Sequence, residues 1–359
     1  MASEQPAFPR LLQFPGRKAS TAAATTASSS RHPGQRLRKF IVTLIVLSEI
    51  LTFCYAGISV YVATRVEYTP PLPITKTPAA FGLQYRNVTF YSREDHLRLR
   101  GWFIPGVLPD GHLTAQRTLI MIHGTGSNRA SPLVLGLGCE LAKRGFAILA
   151  FDMRGMGESA PAPLSEGYFE QRDALGAVDF LRSGPLPYPA LGRTRVIAGW
   201  GDSMGAATLI MAAAREPAIR AIVSDSGFAA IVPLLESDTS IPGAFIPSVL
   251  LASRILYGID FYATRPVDVI SSIAPRPIFF IQGTTDTVVP PSNLRTLAAA
   301  ASAAPHAHVQ TWTVKGADHI QSFHVMGAKY VNRVVAFFTK ALGPDTGEPR
   351  LLSEHRVSK

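Results

Sequence analysis

Hydrophobic residues in this 359-residue chain follow two different patterns. Residues 40–63 form one continuous apolar run that is interrupted only by Glu49. Beyond residue 80, short apolar runs alternate with longer runs of helical spacing, and the short runs lie at 118–122, 194–198, 221–224, 276–283 and 308–314. Short apolar runs are typical of buried strands. Their alternation with helical runs predicts an α/β domain with a mostly parallel sheet and helices on both faces.

The apolar run at 40–63 is long enough to cross a bilayer, which takes about 20 residues. The preceding residues 1–39 are rich in Ser, Thr, Ala, Pro and Arg, so we expect a disordered tail there. Residues 65–80 are dense in proline and predict a stiff stalk. We predict a transmembrane helix at 40–64, a folded domain at 81–342 and a flexible C-terminal tail at 343–359. A buried core helix, a cleaved signal peptide and an organellar transit peptide are alternatives for the apolar run.

The net charge of +10 is distributed unevenly along the chain. Residues 1–39 carry +6 of it, and the folded part contains no basic helix and no aromatic-basic platform, which argues against nucleic acid as a partner. The apolar run is flanked by Arg31, Arg36, Arg38 and Lys39 on its N-terminal side and by Arg65 on the other. The positive-inside rule therefore predicts a single-pass membrane protein with a cytoplasmic N-terminus and an extracytoplasmic domain.

The most informative motif is the segment 199–207, which lies between a predicted strand and an Ala-rich helical run. Within it, Gly201, Ser203 and Gly205 satisfy the pattern G-x-S-x-G. A Cβ at either glycine of such a tight turn would strike the adjacent strand or helix, and the serine is forced into a strained conformation. The hydroxyl is then exposed at the carboxyl edge of the sheet, above the positive end of a helix. The motif predicts a nucleophile at Ser203.

A nucleophilic serine needs a histidine to remove its proton and a carboxylate to hold that histidine. Asp286 and His319 each follow a predicted strand, as Ser203 does. Because the carboxyl ends of parallel strands meet at one edge of a sheet, we expect the three side chains to lie close together. The predicted set is Ser203, Asp286 and His319, in the chain order nucleophile, acid, base.

Each partner has an alternative. Asp225 also follows a predicted strand and could supply the carboxylate in place of Asp286, since Asp286 could simply be a turn residue. Asp318 is disfavoured because it is the immediate neighbour of His319 and points elsewhere. The alternative histidine is His324, on the last predicted helix.

Acyl transfer also needs two backbone N–H donors for the oxyanion. Met204, the residue after the nucleophile, is predicted to supply one of them. The other is expected from the loop at 123–129, His-Gly-Thr-Gly-Ser-Asn-Arg, where Thr125 is the predicted donor. We expect His123 to support this loop rather than to act as a base. Because no Gly-Lys-Ser or Gly-Lys-Thr follows, the loop is not a phosphate-binding loop.

These motifs together resemble those of the α/β-hydrolase superfamily. The resemblance covers about residues 81–342 and rests on the loop at 123–129, the elbow at Ser203, Asp286, His319 and the further segments 98–105, 151–159, 224–228 and 274–277. More narrowly, the chain resembles the membrane-anchored single-domain serine hydrolases of the bud-emergence-protein and YqkD-like branch, related to serine aminopeptidase-like and prolyl-oligopeptidase-like catalytic domains. The resemblance implies the α/β-hydrolase fold, a Ser-Asp-His triad, a small cap, and no need for a metal or cofactor.

The expected cap is an insertion at about residues 228–265 that is rich in Ile, Leu, Val and Phe. Such a cap suits an acyl chain, although the same residues could only pack the cap onto the domain. We therefore predict a membrane-tethered serine hydrolase acting on small-molecule carboxylic esters or thioesters. Glu236 and Asp238 could grip the amino terminus of a short peptide, which keeps an aminopeptidase as an alternative. An acyltransferase, and a non-catalytic binding protein on the same scaffold, are the further alternatives.

Overall fold

A computed structural model describes residues 33–66, 68, 70–183, 186–237 and 241–343 of the chain. The chain divides into two units, one that ends at Phe53 and one that begins at Cys54. In the first unit the described residues belong to helix α1 (Pro33–Val66). The second unit contains the last turns of α1 together with all of the strands and helices that follow.

The second unit is built on a sheet of short, mostly buried strands. In chain order the described strands are β1 (Arg86–Tyr91), β2 (Arg98–Ile104), β3 (Gly106–Val107), β4 (Leu113–Thr114), β5 (Arg117–Ile122), β6 (Ala147–Asp152), β7 (Val196–Asp202), β8 (Ile219–Asp225), β9 (Ile278–Gly283) and β10 (Val309–Val314). Eight of them form one sheet in the order β1-β2-β6-β5-β7-β8-β9-β10, and β3 pairs with β4 separately. Within the large sheet, β2 runs antiparallel to both neighbours and the other pairs are parallel. The predicted mostly parallel sheet is confirmed.

Helices cover both faces of this sheet. After α1 they are α2 (Pro132–Ala142), α3 (Glu170–Ser183), α4 (Met204–Arg215), α5 (Ile231–Ser237), α6 (Ile246–Tyr257), α7 (Pro266–Val269), α8 (Ser292–Ser302), α9 (Ser322–Met326) and α10 (Ala328–Leu342). Because side chains alternate between the faces of a strand, β5 directs Ile120 and Ile122 into the core with α3, α4 and α8. It directs Leu119 and Met121 into the other core, with α2 and α10.

The N-terminal boundaries differ from those predicted. Helix α1 begins at Pro33, so residues 33–39, assigned above to a disordered tail, continue the apolar helix; basic side chains on long stems are good helix formers, and composition alone does not exclude them. The predicted stalk also lies on the domain, since Asn128 Nδ2 donates to the carbonyl of Leu72 at 2.9 Å and Ile74 packs against the core. Residues 1–32 and 344–359 of the predicted tails lie outside the described residues, as does Asp238.

Buried ion pairs fix the turn after β6. The guanidinium of Arg129 contacts the carboxylate of Asp152, and both side chains are almost completely shielded from water. Arg129 also contacts Glu158, and its guanidinium lies 4.6 Å from the ring centroid of Trp102. Asp152 accepts further hydrogen bonds from the backbone N–H groups of Arg129 and Glu158, both at 2.8 Å. Removing the charge of Arg129 would leave the buried carboxylate of Asp152 without its ion-pair partner.

Replacement of Arg129 by alanine is therefore expected to lower the free energy of unfolding by about 3–5 kcal/mol. The matched control is Lys143→Ala, which breaks the partly exposed Lys143–Glu140 pair of 3.1 Å and should cost about 0–1 kcal/mol. Urea unfolding of the full chain in detergent, followed by tryptophan fluorescence, measures both. Equal losses in the two variants would contradict the structural role of Arg129.

Candidate active site

The turn between β7 and α4 holds Ser203 in a conformation that few non-glycine residues adopt, with φ 52° and ψ −123°. The turn is tight because backbones touch on both sides of it. A Cβ at Gly201 would lie 2.5 Å from the carbonyl oxygen of Gly205, and a Cβ at Gly205 would lie 2.3 Å from that of Ile122 at the end of β5. The two glycines therefore have no room for a side chain, and Ser203 is left at the N-terminus of α4.

Three of the predicted site residues come together at this edge of the sheet. Ser203 Oγ lies 2.9 Å from Nε2 of His319. Nδ1 of His319 lies 2.9 Å and 3.1 Å from the two carboxylate oxygens of Asp286. Asp286 is buried and also accepts hydrogen bonds from Gln282 Nε2 at 2.6 Å and from the N–H of Val289 at 2.8 Å. When Nδ1 donates to Asp286, Nε2 is left to accept the Ser203 proton.

Contacts between the loops after β9 and β10 bring Asp286 to His319. A Cβ at Gly283 would lie 2.2 Å from the carbonyl oxygen of Ala317, so only glycine allows this approach. The same carbonyl accepts from the Thr285 hydroxyl at 2.8 Å. Asp318, the disfavoured acid, accepts the His319 backbone N–H at 2.7 Å, and this bond lowers the pKa of its carboxyl. Asp318 therefore orients the backbone of the histidine, while the ring nitrogens of His319 contact Asp286 and Ser203.

The alternative acid and base are placed differently. Asp225 is buried and accepts a 2.7 Å hydrogen bond from the hydroxyl of Tyr330, which in turn accepts from Trp200 Nε1 at 3.0 Å. Its backbone carbonyl accepts the N–H of Ser203 at 2.9 Å, and burial raises the pKa of its carboxyl to about 6. His324 lies on α9 and is exposed. Asp225 thus supports the elbow through its backbone carbonyl. The histidine in contact with Ser203 is His319.

The loop after β5 is held by a buried histidine. His123 Nδ1 donates to the carbonyl of Gly124 at 2.8 Å, and Nε2 accepts from the N–H of Met153 at 3.1 Å. Burial lowers the pKa of this ring, so it stays neutral. Gly124 N–H donates to Asp202 at 3.3 Å; burial and repulsion from Asp225 raise the pKa of the Asp202 carboxyl to about 7. His123 and Asp202 therefore position the loop that carries Thr125.

Glu166 is a site residue that the sequence reasoning missed. The hydroxyl of Thr125 donates to its two carboxyl oxygens at 2.8 and 2.9 Å and lies 3.2 Å from the sulfur of Met204. Thr125 and Met204, the two predicted oxyanion donors, are therefore neighbours next to Ser203. Withdrawal from water raises the pKa of Glu166 to about 7.

The backbone around Glu166 is built to hold it in place. Glu166 has a φ of +51°, and the residues on either side of it, Ser165 and Gly167, each donate a backbone hydrogen bond of 2.8 Å to the buried carboxylate of Glu170. No local motif marks this position, because its partner Thr125 is 41 residues away in the chain. The one available signal is the acidic Glu170 at the start of α3, which identifies a helix N-terminus but not what precedes it.

A cavity of about 610 Å³ opens at Ser203 and His319. Thr125 and Glu166 lie on its polar side. Its apolar lining comes from the predicted cap and from the loop after β9, and consists of Phe228, Ile231, Leu234, Leu235, Val288 and Val289. The volume is within the range of small-molecule sites, about 300–1,000 Å³. The arrangement combines a serine hydroxyl hydrogen-bonded to a histidine, two candidate oxyanion donors and space for an apolar group.

Comparisons with known proteins agree with this fold and with the resemblance to the bud-emergence-protein branch. The sequence profile of the alpha/beta hydrolase fold family matches residues 117–247. The chain is 30% identical to the uncharacterized protein YfhR of Salmonella typhi over 322 residues, which cover 86% of this chain and 98% of YfhR. It is 23% identical to protein bem46 of Schizosaccharomyces pombe over 61% of this chain and 66% of that protein. The chain belongs to the alpha/beta hydrolase family, and the resemblance to the bud-emergence branch is confirmed.

A solved structure supports the fold independently. The esterase Pf2001 of Pyrococcus furiosus superposes with a TM-score of 0.62 at 24% identity, over 77% of this chain and 100% of that chain. At this identity the match bears on the fold alone. The predicted α/β-hydrolase architecture is therefore confirmed both by sequence and by structure.

The raised pKa of Glu166 predicts how the stability of a variant depends on pH. Because the folded pKa of about 7 exceeds the reference value of 4.5, the native state binds more protons between these values, and stability falls as pH rises through them. Glu166→Gln removes this loss. Thermal unfolding of the full chain in detergent should show the variant gaining stability relative to the parent as pH rises from 4.5 to 7.

Glu158→Gln is the control, and its stability relative to the parent should depend on pH in the opposite direction. Its hydrogen bond with Arg129 lowers the pKa of Glu158, so the parent has an advantage over this variant at neutral pH that disappears as pH falls below the reference value of 4.5. If the two variants followed the same trend with pH, the assignment of the raised pKa to Glu166 would be wrong.

Proposed function

We propose that this chain is a membrane-tethered serine hydrolase that cleaves carboxylic esters or thioesters through an acyl-enzyme. The observation that carries the proposal is the continuous hydrogen-bond path from Ser203 Oγ through His319 to Asp286, with 2.9 Å at each step, at the mouth of a largely apolar cavity. A serine aligned with a histidine that is itself oriented by a carboxylate is the arrangement that makes a hydroxyl nucleophilic.

In the first half-reaction, Ser203 Oγ attacks the carbonyl carbon while its proton passes to Nε2 of His319. Asp286, held by its other hydrogen bonds, stabilises the imidazolium that forms. The carbonyl oxygen becomes an oxyanion, for which the N–H groups of Met204 and Thr125 are the proposed donors. Collapse of the tetrahedral intermediate breaks the bond to the alcohol or thiol, which leaves with the proton from His319.

In the second half-reaction, water attacks the acyl-serine. His319 Nε2 takes a proton from the water, and the same oxyanion donors stabilise the second tetrahedral intermediate. Its collapse releases the carboxylic acid, and His319 returns the proton to Ser203 Oγ. The cycle consumes one water and needs only the side chains and N–H groups named above.

The substrate class follows from the lining of the cavity. Ile231, Leu234 and Leu235 of α5 and Phe228 before it form an apolar wall opposite the polar groups. An apolar wall favours an acyl chain or another hydrophobic group. That the structural neighbour Pf2001 is described as an esterase agrees with an ester substrate.

The membrane tether is supported by helix α1. Its residues 34–65 have a mean hydropathy of 2.1 over the best window, and it is the one helix among the described residues that is long and apolar enough to cross a membrane. Arg36, Arg38 and Lys39 at its N-terminal end outnumber Arg65 at the other. By the positive-inside rule, the N-terminus is cytoplasmic and the hydrolase domain is extracytoplasmic.

A second candidate, an aminopeptidase with the same nucleophile, is favoured by Glu166. Glu166 and Ser203 line the same cavity. The carboxyl of Glu166 could pair there with the protonated amino terminus of a peptide. Glu236, considered for this role from the sequence, is exposed on α5. In this case Glu166→Gln would raise KM for aminoacyl amides and leave KM for uncharged esters unchanged.

Ser203→Ala is expected to abolish hydrolysis of p-nitrophenyl esters, with kcat falling at least about 1,000-fold, because the acyl-enzyme cannot form. The full chain in detergent is assayed with acetate through palmitate esters, and with aminoacyl p-nitroanilides alongside. The parent but not the variant should also be labelled by a fluorophosphonate. Ester hydrolysis that survives in the variant would refute the nucleophile, and activity on the anilides alone would favour the peptidase.

Asp286→Asn and Asp225→Asn separate the two acids. Asp286→Asn should reduce kcat by about 10,000-fold, because an amide cannot hold His319 in the required tautomer. Asp225→Asn should mainly reduce stability, since Asp225 contacts Tyr330 rather than His319. Steady-state kinetics and thermal unfolding of both variants test this. A larger loss of kcat in Asp225→Asn would reverse the assignment.

A further inference from the structure

Helix α6 of the cap packs alongside the last turns of α1, within the second unit. The hydroxyl of Tyr55 donates to the carbonyl of Ala244 at 2.5 Å, and its ring stacks on that of Phe245 with centroids 4.8 Å apart. One turn further along both helices, the hydroxyls of Ser59 and Ser248 are 2.7 Å apart. Because the contacts advance together along the two helices, α6 runs in the same direction as the end of α1.

Small residues allow this close approach. Ala63 is fully buried and forms a separate apolar cluster with Val249 and Ala252. Ser59, which is 2% exposed, and Ser248 also lie within hydrogen-bond distance of carbonyls of their own helices, so one hydroxyl can donate to its own helix while the other donates across the interface. An interface of alanine and hydrogen-bonded serine is the kind by which helices associate inside lipid, where apolar surface alone supplies no driving force.

The position of this interface along α1 sets its depth. Tyr55 lies ten residues before Arg65, which is about 15 Å along the helix axis at 1.5 Å per residue. The apolar run ends at Ala63, about 12 Å beyond Tyr55. If the run spans a hydrocarbon layer of about 30 Å, then Tyr55 and Ser59 lie inside that layer, and so does the part of α6 that contacts them.

The outward side of α6 is apolar where the helix reaches the edge of this layer. Residues 244, 248 and 252 contact residues 55, 59 and 63, so Leu251 is level with residue 62 of α1 and Ile255 with residue 66. Leu251 and Ile255 lie one turn apart and are 58% and 73% exposed, and the adjacent Leu256 is 47% exposed. The exposed cation of this helix, Arg254, lies in its last turn and is 3.6 Å from Asp260. An exposed Leu-Ile-Leu surface with its charge confined to one end suits a lipid interface.

We propose that the first turns of α6 are inserted into the extracytoplasmic leaflet beside α1, and that its exposed side contacts lipid where the hydrocarbon layer meets the headgroups. The occupant of this surface is the bilayer, because the surface continues from a helix that itself spans it. The inference rests on the membrane tether proposed above and goes beyond it, since a tether alone leaves the cap in water.

The insertion also defines the substrate more closely. The cap segment that contains α6 contributes the apolar wall of the cavity through α5, which is only a few residues earlier in the chain. An ester dissolved in the leaflet then reaches the cavity from a hydrocarbon environment and keeps its acyl chain out of water. The substrate class is accordingly a membrane-resident acyl ester, such as an acyl lipid.

The test measures depth in the full chain reconstituted into phosphatidylcholine nanodiscs. An environment-sensitive fluorophore is attached at Ile255→Cys in a Cys54→Ala background, and Cys139 does not compete because it is buried and burial raises the pKa of its thiol to about 12. Native Cys54 in α1 is labelled in the parent as the positive control. Ser302→Cys, exposed at the end of α8, is the aqueous control.

We expect brominated lipids to quench the label at Ile255 less strongly than the label at Cys54, because Ile255 lies nearer the membrane surface, and to leave the label at Ser302 unaffected. Quenching at Cys54 but not at Ile255 overturns the insertion and leaves the tether in place. Absence of quenching at Cys54 overturns the tether and the insertion together. A label at Ile255 that is shielded from both brominated lipid and aqueous iodide shows that a second copy covers α6, which also overturns the proposal.

A kinetic experiment tests whether α6 helps a membrane-embedded ester to reach the cavity. Leu251→Asp with Ile255→Asp should reduce hydrolysis of a long-chain ester embedded in vesicles about tenfold while leaving hydrolysis of p-nitrophenyl acetate unchanged, so that the short ester reports an intact active site. Tyr91→Asp, on a 57% exposed side chain of β1, is the matched control and should change neither rate. Equal effects of the α6 substitutions on both substrates, or no effect on either, contradict the proposal.

Discussion

The arrangement of the site depends on the backbone-to-backbone packing at the elbow. Gly205 packs directly against the carbonyl groups at the end of β5, so the start of α4 is held against the loop that carries Thr125. The N–H of Ser203 is meanwhile tied to the carbonyl of Asp225 at the end of β8. The end of β7 is thereby locked to the strand on either side of it, and this offsets the cost of about 1–3 kcal/mol of holding a serine at positive φ.

Burial and hydrogen bonding give different roles to carboxyls that lie at one sheet edge. Burial raises the pKa of the Asp225 carboxyl to about 6, and burial together with repulsion from Asp225 raises the pKa of the Asp202 carboxyl to about 7. Tyr330 occupies one oxygen of Asp225, whereas Asp286 faces the imidazole of His319. The carboxylate that could stabilise an imidazolium thus lies on the Nδ1 side of the ring, away from Ser203, where it orients the ring and leaves the Ser203 hydroxyl free to face the cavity.

Sequence patterns predicted those features that depend on neighbours in the chain. The strands around Ser203, Asp286 and His319 were recognisable because each is a short apolar run followed by a turn. Glu166 was not, since its importance comes from Thr125, which is distant in sequence and carries no motif that pairs with it. The contact of Tyr55 with the cap was hidden for the same reason, as was the docking of the proline-rich segment at Asn128. Composition describes a segment but not the surface that it meets.

The attachment of the proline-rich segment limits how far the hydrolase domain can move from the end of α1. Asn128 holds Leu72 by its carbonyl, and Ser59 holds the cap by Ser248, so the domain is fastened on both sides of the short connection that follows α1. A domain on a flexible linker could move through the surrounding solution and bind molecules there or on a facing bilayer. With the proposed membrane tether, a hydrolase held in this way would act in two dimensions, on the membrane that contains α1, at a rate set by the surface density of its substrate.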